Sequence, residues 1–110
     1  MVRRAESFAT LAANATEQVV RIIHGDTVFS LRAPINLEVR DDGPYRLVEY
    51  EPLGIQGRGR GQKDALESFA DQFMGMWVSI ASADDPKLTH DARRLKRKML
   101  SLVKSVTPAA

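Results

Sequence analysis

Two histidines, His24 and His90, and no cysteine are available to this 110-residue chain for metal or nucleophile chemistry. His24 stands in a turn-forming stretch and His90 at a helix start, far apart in sequence, and neither carries an HExxH or any other metal-ligand spacing. Both read as surface histidines. Serines are plentiful, but none sits in the G-x-S-x-G setting that exposes a nucleophile on a strand-to-helix turn. Asp41 with Asp42, and Asp84 with Asp85, bring carboxylates together, yet these stretches suit turn and helix-flank positions rather than acid and base roles. The run GRGRGQK over 57–63 has the glycines and the cations, Arg58, Arg60 and Lys63, that a phosphate cradle uses. Its spacing matches neither G-x-x-x-x-G-K-[ST] nor G-x-G-x-x-G, and the same letters describe a strand end and a helix start carrying solvated arginines. The inventory points to a protein that is not an enzyme, needs no cofactor or metal, and acts by binding a macromolecule.

A chain of this length is near the usual size of one domain, and dividing it would leave pieces too small to bury much apolar surface. One domain over 1–110 is the expectation. The apolar fraction of 44% and charged fraction of 27% fit a globular protein. No apolar run approaches the roughly 18 residues needed to cross a bilayer. The opening MVRR has the charge of a secretion signal, but Glu6, Thr10 and Asn14 interrupt the apolar stretch that should follow. Together with the absence of cysteine, this places the chain in the cytoplasm.

The net charge of +2 conceals a segregation along the chain. Residues 61–85 hold one lysine against five acids, net −4, whereas residues 86–110 hold seven cations against Asp91, net +6. Two oppositely charged solvated faces or two separate docking surfaces would both give this pattern.

Positions for these charges come from the hydrophobic periods. Residues 1–16 fit either a short helix, with Phe8, Leu11, Ala12 and Ala15 at helical spacing, or a loose arm. Strands are expected over 17–61. QVVRII at 18–23 is β-branched and runs into the turn residues His24, Gly25 and Asp26. Between 27 and 40, Phe29, Leu31, Ala33, Ile35, Leu37 and Val39 share one parity, and Ser30, Arg32, Asn36, Glu38 and Arg40 the other. Pro34 lies on the wet parity without a ladder donor, so this run is either an edge strand or is bent there into two. After the turn residues Asp41, Asp42, Gly43 and Pro44, YRLVEYE resumes strand composition, and PLGIQGRGRG supplies a short last strand leading into a loop.

From Gln62 the period becomes 3.6, predicting a helix over 62–81. Ala65, Leu66, Phe69, Ala70, Phe73, Met76, Trp77 and Ile80 make a broad apolar arc, with Asp64, Glu67, Ser68 and Asp71 opposite. The aromatics at 69, 73 and 77 are read as core. SADDPKL is a turn cluster, Thr89 a helix N-cap and Asp91 a favourable charge in the first turn. A second helix is predicted over 89–106, with Ala92, Leu95, Met99, Leu102, Val103 and Val106 on one face. The expected fold is α+β: a small antiparallel sheet of three to five strands covered by an amphipathic helix, plus a basic amphipathic helix at the C-terminus.

The order of features from Pro34 to Trp77 resembles the HicB-like antitoxin domain of bacterial toxin-antitoxin pairs. A strand PINLEV meets the DDG turn, an aromatic-led strand PYRLVEYEP follows, and LGIQGRG leads into a helix opening QKDALESFADQF. Gly43, Tyr45, Leu53, Gly54, Gly57, Gly59, Ala65 and Leu66 occupy comparable places, over less than half the chain. Where that family usually has Pro-Gly-Cys at its third strand, this chain has Leu53, Gly54 and Ile55. After Trp77 there is room for one further helix only, so no helix-turn-helix or ribbon-helix-helix can be placed. The resemblance implies neutralisation of a small partner protein, often a ribonuclease toxin, with DNA binding through a separate C-terminal element.

Two functions of different class follow. In the first, a HicB-like protein, possible as a homodimer, uses its sheet edge and acidic helix flank to hold a small basic protein through Glu49, Glu51, Asp64, Glu67 and Asp71. In the second, an accessory protein meets nucleic acid through Arg93, Arg94, Arg97, Lys98 and Lys104, taken as one face of the last helix. No aromatic is interleaved among those cations, so a duplex backbone suits them better than stacked single-stranded bases.

Overall fold

Apolar residues placed two apart make strands, and the longest such run becomes the centre of the sheet. The computed structural model describes residues 15–109. It contains β1 (Thr16–His24), β2 (Thr27–Asp42), β3 (Tyr45–Tyr50), β4 (Ile55–Gly59), α1 (Gln62–Met76), α2 (His90–Leu102) and β5 (Val103–Pro108). All pairings are antiparallel, in the order β1-β2-β3-β4, with β5 also on β2. This is the expected α+β class. Of the segment expected to be a short helix or an arm, residues 1–14 lie outside the described residues. Ala15 and Thr16 are not helical: the Ala15 carbonyl accepts from the Val39 amide at 2.8 Å, and Thr16 opens β1.

β2 is not an edge strand; it is central and bent. Val19 faces Ile35, but Arg21 already faces Ser30, so Leu31 to Pro34 lie opposite Val20 alone. The bulge falls where Pro34 cannot donate a ladder bond. It also breaks the parity: Phe29, Leu31, Ile35, Leu37 and Val39 are buried, but Ala33 is exposed with Arg32 and Pro34, contrary to the simple alternation. The bend lets one strand serve two neighbours on one side, β5 along Thr27–Leu31 and β3 along Glu38–Asp42. Both β2 hairpins close through two-residue loops with glycine at positive φ, Gly25 at 56° and Gly43 at 62°. Such loops need a left-handed first residue, which glycine supplies without strain.

The last helix ends earlier than its pattern predicts. α2 begins as expected, with Thr89 Oγ1 accepting from the Ala92 amide at 3.2 Å and Asp91 in the first turn. It stops at Leu102, and Val103 to Pro108 return as β5 along Phe29 and its neighbours. Val103 is buried against the core as a strand residue, not a helical one, and Val106 is 45% exposed. A bulge opposite Ser30 and Leu31 leaves Lys104 without a cross-strand partner.

α1 lies across the buried face of the sheet, hard against β4. Ala65, Phe69, Ala70 and Phe73 are buried, and Phe29 packs edge-on to Phe73 (4.9 Å between ring centroids) and Trp77 (5.2 Å). Its last turn, Trp77–Ala81, widens to π geometry, with the Ser82 amide bonding to the Trp77 carbonyl at 2.9 Å. The helix expected over 62–81 is therefore present with a changed end, and its aromatics belong to the core.

Candidate functional site

Alternation along β3 decides where the first expected acid goes. Val48 is buried under α1, so Glu49 projects from the opposite face of the sheet. There it pairs with Arg40 at 3.3 Å and accepts from Gln56 Nε2 at 2.8 Å. Glu51 starts a short 3₁₀ turn, Glu51–Leu53, whose neighbouring Pro52 carbonyl accepts from Lys98 Nζ at 3.4 Å. Asp64, Glu67 and Asp71 are exposed on α1, and Asp71 meets His24 Nε2 at 2.7 Å. The five candidate acids thus divide into a trio on α1 and two residues elsewhere. Geometry brings together Asp64, Glu67 and Asp71 only.

The basic set also loses a member. Arg93, Arg94, Arg97 and Lys98 lie on α2, but Lys104 is on β5 and does not extend that face. Among the described residues, no carboxylate lies within 4 Å of Arg93, Arg94, Arg97 or Lys98. Lys96, not singled out by the pattern, is half-buried and does structural work: it donates to the Ala83 carbonyl at 2.6 Å and to Asp85 at 2.7 Å. That hydrogen bond and the Lys96 charge hold the Asp85 carboxyl below the usual aspartate range, with Arg93 and Arg97 adding to the effect. A depressed carboxyl contributes stability that is present above its unfolded pKa and lost as pH falls through the folded one. In a carbon-detected titration, Asp85 should therefore titrate below a typical aspartate, and Lys96→Met should move its midpoint upward.

The glycine-rich run serves packing. A Cβ on Gly57 would collide with the Ala65 carbonyl and the Phe69 amide, and one on Gly59 would come within 2.5 Å of Asp64 Cβ. Arg58 lies 4.5 Å over the Tyr45 ring, pairs with Asp42 at 3.2 Å, and is joined over the same ring by Arg60 at 5.7 Å. Among the described residues, no group of three or more His, Asp or Glu side chains is placed to hold a metal ion. No helix among them is long and apolar enough to cross a membrane.

A feature that the linear pattern missed lies between β1 and α1. Because α1 is drawn onto the glycines of β4, no described residue covers the β1 side of the same sheet face. The result is an open groove of about 500 Å³. Its floor is apolar, from Val19, Ile22, Leu37, Leu66, Phe69 and Ala70, and its rim carries Arg21, Lys63 and Glu67. Beside it, Val20 and Ile23 are 53% and 56% exposed. The signal was present in VVRII, which has more apolar residues than a strand wetted on one face needs.

No family model, curated protein or solved structure matches this chain.

Proposed function

We propose that the chain is a non-enzymatic binding protein of the HicB-like kind, holding a small basic protein such as a ribonuclease toxin in the cytoplasm. The observation that carries this reading is the side of the molecule built by β1 and α1. Among the described residues β1 pairs only with β2, so its other edge presents backbone donors and acceptors. Glu67 lines the groove beside that edge and Asp71 meets His24 at its end, in the segment whose net charge is −4, while Asp64 sits over Gly59 of β4. An acidic flank beside an open edge suits a cationic protein surface. The hairpin, third strand and helix between Pro34 and Trp77 follow one another as the resemblance implies. Self-pairing of two copies through the same edge is a compatible assembly.

Co-expression with the product of the neighbouring reading frame tests the reading, with size exclusion and light scattering as readouts. A stable heteromeric complex is expected, and Asp64→Lys, Glu67→Lys and Asp71→Lys combined should weaken it at least tenfold. A complex indifferent to those changes, or no complex, counts against it.

A second reading rests on Arg93, Arg94, Arg97 and Lys98 of α2, none of which has a carboxylate within 4 Å among the described residues. Replacing Arg93, Arg94, Arg97 and Lys98 with glutamine should abolish salt-sensitive retention on DNA or RNA if those cations contact phosphates. Under the first reading the same variant still forms its protein complex.

A further inference from the structure

The groove between β1 and α1 has a length, a direction and a charge, and together these select its occupant. Its helical wall runs from Gln62 to Ala70, about 12 Å at the rise of an α-helix. Asp71 meets His24 at 2.7 Å just beyond that wall, so β1 and α1 both run from the Thr16 end of the groove toward the His24 end. The floor is apolar, and Arg21 and Lys63 against Glu67 leave the rim with a net charge of +1. A nearly neutral, apolar segment of roughly two to three helical turns fits this space better than a highly charged one.

The chain itself supplies such a segment beside the groove. Residues 5–14 read AESFATLAAN, in which Glu6 is the one charged side chain and complements the rim. Phe8, Leu11 and Ala12 stand at i, i+3 and i+4, which gathers them on one side of a helix, whereas a strand would send Phe8 and Leu11 to opposite faces. Ala5, Ala9, Ala12 and Ala13 favour the helix as well. The segment joins the described fold at Ala15, whose carbonyl accepts from the Val39 amide, and Thr16 then opens β1 just ahead of Val19 in the groove. A reversal at Asn14, a residue type suited to turns, returns residues 5–13 along β1, where as a helix they cover about 13 Å. We infer that residues 5–13 of this same chain occupy the groove, with Phe8, Leu11 and Ala12 packed on Val19, Ile22, Leu66 and Ala70. The protein thus carries its own competitor for the β1 side, held there at high local concentration by the short connection.

The chain has no cysteine, so Leu11→Cys with Leu66→Cys introduces a single pair that can be joined. Diamide, which takes up the two thiol hydrogens as the sulfurs bond, is added to the full chain, and products are read by non-reducing electrophoresis and intact mass. A disulfide within one chain should form at least about tenfold faster than in Leu11→Cys with Gln56→Cys, whose second position lies on the opposite face of the sheet. Leu11→Cys with Val19→Cys repeats the measurement if the first pair disturbs folding. Separately, Phe8→Glu with Leu11→Glu should expose the trough and raise Nile red fluorescence of the full chain at least about fivefold. Adding Leu66→Arg to that variant should return the signal to the native level.

Equal rates for the groove pairs and the Gln56 pair overturn the inference, as does a disulfide that links two copies, which makes a second chain the occupant. It also falls if Nile red fluorescence is unchanged by Phe8→Glu with Leu11→Glu, or if Leu66→Arg leaves the raised signal in place and so puts the dye elsewhere. None of these results bears on the complex sought by co-expression, so this inference and the protein-binding reading fail separately.

Discussion

Gly57→Ala should unfold this protein at a melting temperature at least about 15 °C below that of the native chain, from a loss of roughly 3 kcal/mol or more. The added methyl group would meet the Ala65 carbonyl, the Phe69 amide and, at 2.8 Å, the Phe69 Cα. All three are backbone atoms of α1, so no rotamer change relieves the overlap and the helix must lift from β4. Overpacking usually costs about 1–3 kcal/mol, and the upper end applies where backbone has to move. Lifting α1 also draws Phe69 and Phe73 off the sheet, and both are buried. Against a typical total of about 5–15 kcal/mol, that is a large fraction of the whole. Gly75→Ala is the internal control. It lies within the same helix, its Cβ would meet nothing, and the change should stabilise by about 0.5–1 kcal/mol. Thermal and urea unfolding of the two variants should move in opposite directions. Equal midpoints for native chain and Gly57→Ala would mean that the helix does not rest on β4 as described.

That pair of glycines also marks where sequence reading succeeds and where it stops. Type and rough extent of the elements were legible because β2 alternates and α1 keeps a 3.6 period over many residues. The failures occur where one residue is compatible with two periods. Val103 and Val106 continue the apolar face of α2 as well as they make a β-branched strand, and the choice is settled by the free side of Phe29 and Leu31 on β2. Ala33 fits the buried parity on paper, but the bulge at Pro34 consumes residues without advancing the ladder.

For the site, the reason is different. Glycines at 57 and 59 suggest an approach to phosphate when read alone, because close approach is all that they encode. In the fold the group that approaches is the backbone of α1. That approach sets α1 to one side of the sheet and uncovers the groove over Val19 and Ile22. The groove is a consequence of helix placement, which no local pattern contains. Charge placement was half legible: Asp64, Glu67 and Asp71 share α1 as their spacing implied, whereas Glu49 turned to the other sheet face because Val48 took the buried parity.

Phe29→Ala should be the most damaging truncation in the core, at about 3–5 kcal/mol. Phe29 is fully buried and stands where three elements meet, on β2, paired to Ile22 of β1 and Val106 of β5, with its ring edge-on to Phe73 and Trp77 of the α1 segment. Alanine removes the ring from two aromatic contacts at once and leaves a cavity that strands fixed by hydrogen bonds cannot close. The chain has one tryptophan, so the effect has a local readout. Emission from Trp77 should shift to longer wavelength under conditions where far-ultraviolet circular dichroism remains native. Phe73→Ala should cost a similar amount, and the double variant less than the two single losses added, because both truncations open the same space. Val20→Thr, on an exposed β1 position, should change stability by no more than about 0.5 kcal/mol. Exposed Val20 is thus dispensable for folding and remains available to whatever meets the edge of β1, which separates the residues that hold this fold together from those left over for recognition.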